Sequence, residues 1–333
     1  MNPLLDVRDL QVEFDTWDGR VRVIESLSFA LDPAQTLCIV GESGCGKSMT
    51  ALAVMGLVPQ PAGHVTGGRI VFDGEDLLRA PEARRRSVRG NAISMIFQEP
   101  MTSLNPVYTV GEQIAEVLRL HKGVGRAAAQ ARAIDMLRAV HIPEPERRVR
   151  DFPHQFSGGM RQRVMIAIAL ACEPKILIAD EPTTALDVTV QAQIFDLLHE
   201  LRDRRGTAIV LITHDMGAVA EMADRVIVMY AGRKVEEGDV DQVHERPAHP
   251  YTRGLLACRP QLRLGEPGPR EVLPEIPGVV PPLHLIGRGC AFAPRCPQAQ
   301  PRCHAQAPPQ TVLDAGHAAA CWLLDSDVRE AAA

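Results

Sequence analysis

The sequence predicts an α/β protein with a mostly parallel sheet, and three observations lead to that prediction. Short apolar runs, such as Ile176–Ala179 and Ala208–Thr213, are separated by helix-like segments. Strand–helix–strand repetition of this kind favours right-handed crossovers and parallel pairing. A glycine-rich loop, Gly41–Ser48, joins an apolar run to a helix former. Beyond about residue 246 the chain is rich in proline and poor in strand and helix patterns.

Two alternating stretches open the chain and predict a pair of antiparallel strands, Leu4–Phe14 and Val21–Leu31, joined at the Asp18–Gly19 turn. From Val110 to about Val149 the periodicity is helical. The other predicted strands are Leu37–Val40, Gly67–Asp73, Ile176–Ala179, Ala208–Thr213 and Arg225–Tyr230. The predicted helices are Met49–Leu57, Val110–Leu120, Ala127–Val140, Val190–Arg202 and Met216–Ala223.

The chain of 333 residues has room for one large domain with an appendage, or for two domains. We expect residues 1–245 to form an α/β core, interrupted by a helical insertion at about 100–165. Residues 246–333, named here the C-terminal extension, are expected to have little regular structure.

Composition excludes some function classes. The chain is 46% hydrophobic and 23% charged, as expected for a soluble globular protein. No apolar run approaches the roughly 18 residues that a membrane span needs, and the N-terminus lacks a basic-then-apolar targeting signal. We therefore expect a cytoplasmic chain. A net charge of −5 gives no electrostatic reason to expect nucleic-acid binding.

Residues Gly41–Ser48 read GESGCGKS and match the phosphate-loop pattern G-x-x-x-x-G-K-[ST]. Glycines allow backbone N–H groups to point inward at phosphate oxygens, and the following helix adds its positive end. Lys47 is predicted to reach the β- and γ-phosphates, and Ser48 to bind Mg²⁺. The predicted nucleotide-binding residues here are Gly41, Ser43, Gly44, Cys45, Gly46, Lys47, Ser48 and Met49.

A second motif, KILIADEP, ends a predicted buried strand with two acids. In parallel sheets, ligands bind at this end of the strands. Asp180 is predicted to bind Mg²⁺, and Glu181 to polarise the attacking water. Paired acids after an apolar run are common, so this motif gains its weight from the phosphate loop upstream.

A third motif, FSGGMRQR, opens a predicted helix with a turn at Ser157, Gly158 and Gly159, named here the serine–glycine turn. Such a turn is an anion site, because helix N-termini present free N–H groups. In isolation the octapeptide is more typical of a capped helix without a ligand. A second anion site in a chain that already has a phosphate loop favours a dimer, in which one subunit's turn caps the γ-phosphate held by the other.

Four cysteines, Cys290, Cys296, Cys303 and Cys321, crowd into the C-terminal extension. In a reducing compartment such a cluster favours a metal over disulfides. The spacing lacks the tight C-x2-C pair of structural zinc sites, so it leaves zinc, an iron–sulfur cluster and free thiols open.

In order, GESGCGKS, Gln98 in IFQEP, FSGGMRQR, IADEPTTALD and ITHD resemble the motifs of ATP-binding-cassette (ABC) ATPases over about residues 4–245. That resemblance implies an ABC-type P-loop core with a helical subdomain, binding ATP and Mg²⁺. Phe156 and Met160 depart from the commonest family pattern, but the serine and glycines are kept.

The resemblance also implies roles for single residues. Gln98 would contact Mg²⁺ and water, Glu181 would be the general base, and His214 would reach the γ-phosphate. A loop at Ala185, Leu186 and Asp187 would contact the second subunit. An aromatic near the first strand would stack on adenine, and both Phe14 and Trp17 are candidates.

IFQEPMTSLNP, HPYTRGLL and the tail cysteines are further similar to ATPase subunits of oligopeptide and dipeptide importers. This likeness implies a [4Fe–4S] cluster on Cys290, Cys296, Cys303 and Cys321. It also implies a second ATPase subunit, identical or paralogous, two membrane permeases and an extracytoplasmic solute-binding protein. The chain would then lie at the cytoplasmic face of the cell membrane.

The expected function is therefore ATP hydrolysis that powers peptide uptake. Nickel, glutathione or sugar as the solute, or a non-transport ABC ATPase, are the alternatives. A P-loop kinase or GTPase would lack the serine–glycine turn and His214.

Overall fold

The structure is a computed structural model, and it describes residues 2–17, 19–98, 103–183, 186–258 and 274–325. The strands are β1 (Leu5–Thr16), β2 (Gly19–Leu31), β3 (Thr36–Val40), β4 (Gly63–Phe72), β5 (Glu75–Asp76), β6 (Ile93–Ile96), β7 (Ile176–Asp180), β8 (Ala208–Thr213), β9 (Arg225–Tyr230), β10 (Arg233–Asp239), β11 (Thr311–Asp314) and β12 (His317–Ala319). The helices are α1 (Lys47–Met55), α2 (Glu82–Val88), α3 (Val110–Lys122), α4 (Arg126–Ala139), α5 (Pro145–Arg148), α6 (Gly158–Leu170), α7 (Val188–Arg205), α8 (Met216–Met222), α9 (Val240–Glu245), α10 (Pro250–Ala257) and α11 (Pro301–Ala305).

The larger sheet has the strand order β11-β12-β10-β9-β3-β8-β7-β6, and it is parallel from β9 to β6. Its central strand β3 is buried throughout because it is covered on both faces. Alternation along the strand sends Leu37 and Ile39 into one hydrophobic core and Cys38 and Val40 into the other. The predicted mostly parallel sheet is confirmed.

The smaller sheet is antiparallel, with the order β2-β1-β4-β5. Leu5 of β1 lies opposite Leu31 of β2 and Phe72 of β4, and all three side chains are buried. They belong to the same core as Val54 of α1. This sheet therefore covers the side of α1 that the larger sheet leaves open, and it supports the loop that precedes the helix.

Between β6 and β7 the described chain is helical. Ile114 and Leu118 of α3 pack in one core with Ala133 and Leu137 of α4 and with Val164 of α6. Alanine on the buried face of α4 allows neighbouring helices to approach closely. The helices are thereby fixed as one layer against the sheet edge that carries β6 and β7.

The C-terminal extension contains more regular structure than the sequence predicts. Its strands β11 and β12 form a hairpin, and β12 pairs with β10, where Glu236 lies opposite Ala319. The pattern missed β12 because three residues, His317–Ala319, are too few to show an alternation. The extension thus continues the larger sheet at its β10 edge.

Sequence analysis also missed β6 and β10. Among the described residues, no helix has both the length and the apolar character needed to cross a membrane.

Candidate nucleotide site

The phosphate loop lies between β3 and α1, at the carboxyl end of the central strand. Gly41 has φ +151°, and a Cβ there would stand 2.2 Å from the backbone oxygen of Met229. Gly46 has φ +97°, a region that L side chains rarely adopt. Both positions therefore require glycine. The loop ends at the N-terminus of α1, whose free N–H groups and positive dipole end favour an anion.

Lys47 is buried, and its ammonium is held over the loop. Nζ donates to the backbone oxygens of Gly41, at 2.7 Å, and of Glu42, at 3.0 Å. Cys45 is buried beneath it, and burial raises the pKa of that thiol, so it stays neutral. Ser43 and Gly44 are exposed at the crest of the loop. The cation is thus placed beside open backbone, where an anionic ligand can enter.

Ser48 and Asp180 meet at the predicted magnesium position. The Ser48 hydroxyl donates to Asp180 Oδ1 at 3.0 Å. Asp180 is buried at the end of β7, and burial raises the pKa of its carboxyl, opposed by the Ser48 hydrogen bond. Nearby Lys47 also favours the ionised form. A hydroxyl and a carboxylate side by side form the oxygen donor set that Mg²⁺ prefers.

The residues predicted to contact the attacking water and the γ-phosphate are brought together. Gln98 Nε2 donates to Glu181 Oε2 at 3.1 Å, and His214 Nδ1 lies 3.2 Å from Glu181 Oε1. They follow β6, β7 and β8, which are neighbours in the sheet. Carboxyl ends of parallel strands share one edge, so the topology itself brings these side chains together.

The backbone at Glu181 is strained. Its φ is +48°, which costs a non-glycine residue about 1–2 kcal/mol. Its N–H donates to the Ile212 oxygen of β8 at 2.9 Å, which fixes the residue in this conformation. The strain turns the carboxylate between Gln98 and His214.

The serine–glycine turn caps α6. Ser157 Oγ accepts from the Met160 N–H at 3.4 Å, and Gly158 is exposed with no atom within 4 Å of a built Cβ. Phe156 is buried, with the Arg148 guanidinium 5.7 Å from its ring, so the unusual aromatic serves as a core residue. Within the described residues no hydrogen bond joins this turn to the phosphate loop.

Helix α6 contacts the segment that follows Glu181. Gln162 Nε2 donates to the Pro182 oxygen at 2.6 Å, and Gln162 is buried. Of the loop predicted to contact a second subunit, Ala185 lies outside the described residues. Leu186 packs against the larger core, and Asp187 caps α7 by accepting from the Val190 N–H at 2.9 Å.

The two aromatic candidates for adenine differ in environment. Phe14 is half-buried against the core of the smaller sheet, next to Gly63. Trp17 is fully exposed at the end of β1. Trp17 therefore has both ring faces available to a planar ligand.

The four tail cysteines line a single small cavity, which we name the cysteine cavity (Cys290, Cys296, Cys303, Cys321). Burial raises the pKa of Cys290, of Cys296, and of Cys321 to about 11, so these thiols are protonated at neutral pH without a metal. No group of three or more His, Cys, Asp or Glu in the described part of the chain has the arrangement of a metal site. The iron–sulfur prediction is therefore not supported by the geometry, although the thiols converge.

Sequence reasoning missed the residues by which the C-terminal extension contacts the phosphate loop. The Glu42 N–H donates to the Tyr251 hydroxyl at 2.8 Å, and Glu42 forms an ion pair with Arg295. Tyr251 belongs to the HPYTRGLL segment, which the sequence analysis used only as a mark of resemblance.

Two family models match the chain. The model described as "ABC transporter" matches residues 24–184, and "Oligopeptide/dipeptide transporter, C-terminal region" matches residues 235–303. The first match contains the phosphate loop, the serine–glycine turn and the two acids Asp180 and Glu181. The second begins within β10 and contains α10 and three of the four cysteines.

Curated relatives span nearly the whole chain. The oligopeptide transport ATP-binding protein OppD of Bacillus subtilis is 52% identical over 324 residues, covering 97% of this chain and 90% of the relative. The dipeptide transport ATP-binding protein DppD of the same organism is 48% identical over 331 residues, covering 99% and 98%.

A solved structure shares the fold. The ATP-binding cassette MJ0796, in a dimeric post-hydrolysis state bound to ADP and Pi, has a TM-score of 0.64 and 26% identity, covering 71% of this chain and 98% of that one. Together with the family matches, this likeness shows that the chain has the fold of ABC ATPases. The chain belongs to the ABC transporter family of ATPases, and its C-terminal region belongs to the oligopeptide/dipeptide transporter family.

Proposed function

We propose that this chain hydrolyses ATP to power the import of di- and oligopeptides through separate permease subunits. One observation carries the proposal: the Glu181 carboxylate lies between Gln98 and His214, next to the Ser48–Asp180 pair and Lys47. The relatives named as peptide transport ATP-binding proteins support the peptide assignment.

The residues divide the work of hydrolysis. The phosphate loop and Lys47 hold the triphosphate, while Ser48 and Asp180 would hold Mg²⁺, which neutralises charge on the phosphate oxygens. Glu181 orients a water and accepts its proton as the water oxygen attacks the γ-phosphorus. The bond to the β–γ bridging oxygen then breaks, and ADP and phosphate leave. His214 and Gln98 hold the carboxylate and contact the γ-phosphate and water.

The active unit in this proposal is a head-to-tail dimer. The serine–glycine turn is the exposed N-terminus of α6, where backbone N–H groups lack intrahelical partners, and the triphosphate of a second ATPase subunit would bind there. The dimeric structure of MJ0796 supports this arrangement.

In our proposal residues 1–245 are the ATPase domain, and the helical part at about 100–165 transmits closure to two permeases at the cytoplasmic face of the cell membrane. A solute-binding protein outside would select the solute. Uptake assays of the reconstituted transporter distinguish peptides from nickel, glutathione and sugars: peptide-stimulated turnover is expected, and stimulation by another of these solutes alone would overturn the peptide assignment.

Glu181→Gln tests the base. The variant should bind ATP and dimerise, but hydrolyse it about 10²–10⁴-fold more slowly, because general-base catalysis contributes about that much. Glu173→Gln is a matched control, since Glu173 also has a positive φ, +52°, and is exposed. Near-normal turnover of Glu181→Gln would remove Glu181 from this role.

Ser157→Tyr tests the dimer by filling the turn with a bulky side chain. Phosphate release should fall to background while each monomer still binds ATP. Intact turnover, or an active species that light scattering shows to be monomeric with ATP bound, would overturn the shared site.

We also propose that the cysteine cavity holds a [4Fe–4S] cluster in the cell. The proposal rests on the convergence of four cysteines on one cavity. Because their side chains do not have the arrangement of a metal site, they would have to move closer together to bind iron. Iron, acid-labile sulfide and visible absorption of anaerobically purified protein test it, with Cys258→Ser as control and Cys303→Ser as the ligand variant. Stoichiometric zinc, or four titratable thiols without metal, would refute the cluster.

A further inference from the structure

The C-terminal extension reaches into the phosphate loop through one arginine. Arg295 Nη1 lies 2.9 and 3.0 Å from the two carboxylate oxygens of Glu42, the second residue of the loop. The Arg295 side chain is 5% exposed and the Glu42 side chain is 29% exposed, so the guanidinium is buried while the carboxylate keeps some contact with water. These residues are 253 positions apart in the sequence.

Other contacts fix the guanidinium in place. Nε donates to the Pro277 oxygen at 2.8 Å, and Nη2 donates to the Ile276 oxygen at 3.3 Å. Nη1 also lies 3.4 Å from the Tyr230 hydroxyl. Both carbonyls belong to the C-terminal extension, and Arg295 itself lies between Cys290 and Cys296. The position of the guanidinium is therefore set by two parts of the C-terminal extension, the backbone at Ile276–Pro277 and the segment between Cys290 and Cys296.

Tyr251 holds the backbone of the same glutamate. Its hydroxyl accepts from the Glu42 N–H at 2.8 Å. Its ring is fully buried and packs edge-on against Tyr230, with centroids 4.7 Å apart, and against Phe292 at 5.3 Å. The side chain and the backbone of Glu42 are thus held by two separate segments of the extension.

The held residue also supports the phosphate-binding lysine, because the Glu42 carbonyl accepts from Lys47 Nζ at 3.0 Å. The positive charge of Arg295 also neutralises the Glu42 carboxylate, which would otherwise be an unpaired negative charge next to the phosphate loop. An unpaired negative charge beside a bound anion weakens the binding of that anion by Coulomb repulsion.

We infer that Arg295 is a positioning residue for the nucleotide: through Glu42, and together with Tyr251, it holds the phosphate loop in its binding conformation. The C-terminal extension is then part of the nucleotide site. This inference rests on the proposed ATPase function, and it adds a residue that acts through Glu42.

The test is a double-mutant cycle between Arg295 and Glu42 in the full chain, read as the Kd of MgATP and as KM and kcat. Arg295→Met should raise Kd and KM about tenfold, equivalent to about 1.4 kcal/mol, and leave kcat nearly unchanged. Adding Glu42→Gln should restore much of the affinity, because it removes the bare charge. Additive effects of the two changes would overturn the inference.

Arg302→Met is the matched control. Arg302 lies in the same extension, stacks on Trp322 with its guanidinium carbon 3.8 Å from the ring centroid, and pairs with Asp325 at 2.6 Å, away from the loop. Its Kd for MgATP should equal that of the wild type. An equal loss of affinity in both arginine variants would show a general effect of the extension and overturn the inference.

Arg295→Lys replaces Arg295→Met in the cycle if the latter does not fold. It keeps the charge but loses the planar fork, so a smaller coupling to Glu42→Gln is expected, and zero coupling overturns the inference. Wild-type protein that does not bind or hydrolyse ATP would refute the proposed function itself. Active wild type with unaffected variants would refute only the role of Arg295.

Discussion

The buried carboxylate of Glu236 offers a quantitative test of how the C-terminal extension is attached. Glu236 lies on β10 with no exposed surface. Its Oε1 accepts from the Ala248 N–H at 2.8 Å and lies 2.9 Å from His317 Nε2, and its Oε2 accepts from the His249 N–H at 2.9 Å. One carboxylate thus joins β10, the start of α10 and β12.

Glu236→Ala leaves two buried N–H groups and one imidazole without this acceptor. An unsatisfied buried donor costs about 1–3 kcal/mol, and this change removes the acceptor of at least two N–H groups. We expect the free energy of unfolding to fall by about 3–5 kcal/mol. Glu236→Gln keeps the shape and one acceptor oxygen, so its loss should be about half as large.

Urea unfolding followed by circular dichroism measures this difference. Glu200→Ala is the control, because Glu200 pairs with Arg204 at 2.6 Å where the two side chains are 48% and 76% exposed, and it should lose only about 0–1 kcal/mol. A loss below about 1 kcal/mol for Glu236→Ala would show that these hydrogen bonds do not attach the extension.

A pH effect is expected at His249, where burial lowers the pKa to about 3. The pKa of His249 in the folded state lies below its unfolded value of about 6.5, so the folded protein binds fewer protons than the unfolded chain. The free energy of unfolding therefore keeps its full value above about pH 6.5 and falls at lower pH, by about 2 kcal/mol at pH 5. His249→Asn keeps an acceptor for the Tyr251 N–H and removes the titrating imidazole. The drop in urea midpoint from pH 7.5 to pH 5 should therefore be smaller in this variant, and an unchanged drop would contradict the role of His249 in the acid dependence. Asp180→Asn should raise the Mg²⁺ concentration for half-maximal hydrolysis at least tenfold, since it removes a charged ligand next to Ser48, and an unchanged requirement would place the metal elsewhere. Trp17→Leu should raise the Kd for ATP by about tenfold from lost stacking, whereas Phe14→Leu should mainly lower stability because Phe14 packs on the core; the reverse pattern would assign the adenine to Phe14.

Much of the fold could be predicted because its central strands are short apolar runs. Ala208–Thr213 and Arg225–Tyr230 have the predicted bounds, and β7 extends one residue further, to Asp180. Buried parallel strands can be recognised from such runs in the sequence, since both of their faces are apolar. The short strands β6 and β12 carry no comparable signal, and pairing at the β10 edge decides where β12 lies.

The candidate site divides along a similar line. Local motifs predicted Lys47, Ser48, Asp180 and Glu181, because each motif is contiguous in sequence. The meeting of Glu181 with Gln98 and His214 followed from the family resemblance. Neither a local motif nor the family resemblance predicted the Arg295–Glu42 pair. The two residues are 253 positions apart, and neither spacing nor periodicity indicates a contact at that separation.

The hydrogen bond from Gln162 to the Pro182 carbonyl has a consequence for how two sites would work as a pair. Gln162 belongs to the helix whose first turn would face a neighbour's triphosphate, while Pro182 directly follows the residue that would activate this chain's own water. If nucleotide binding in the neighbouring subunit's site shifted that helix, the hydrogen bond would move the backbone next to Glu181. Nucleotide binding at one site and hydrolysis at the other would then be coupled through the amide side chain of Gln162.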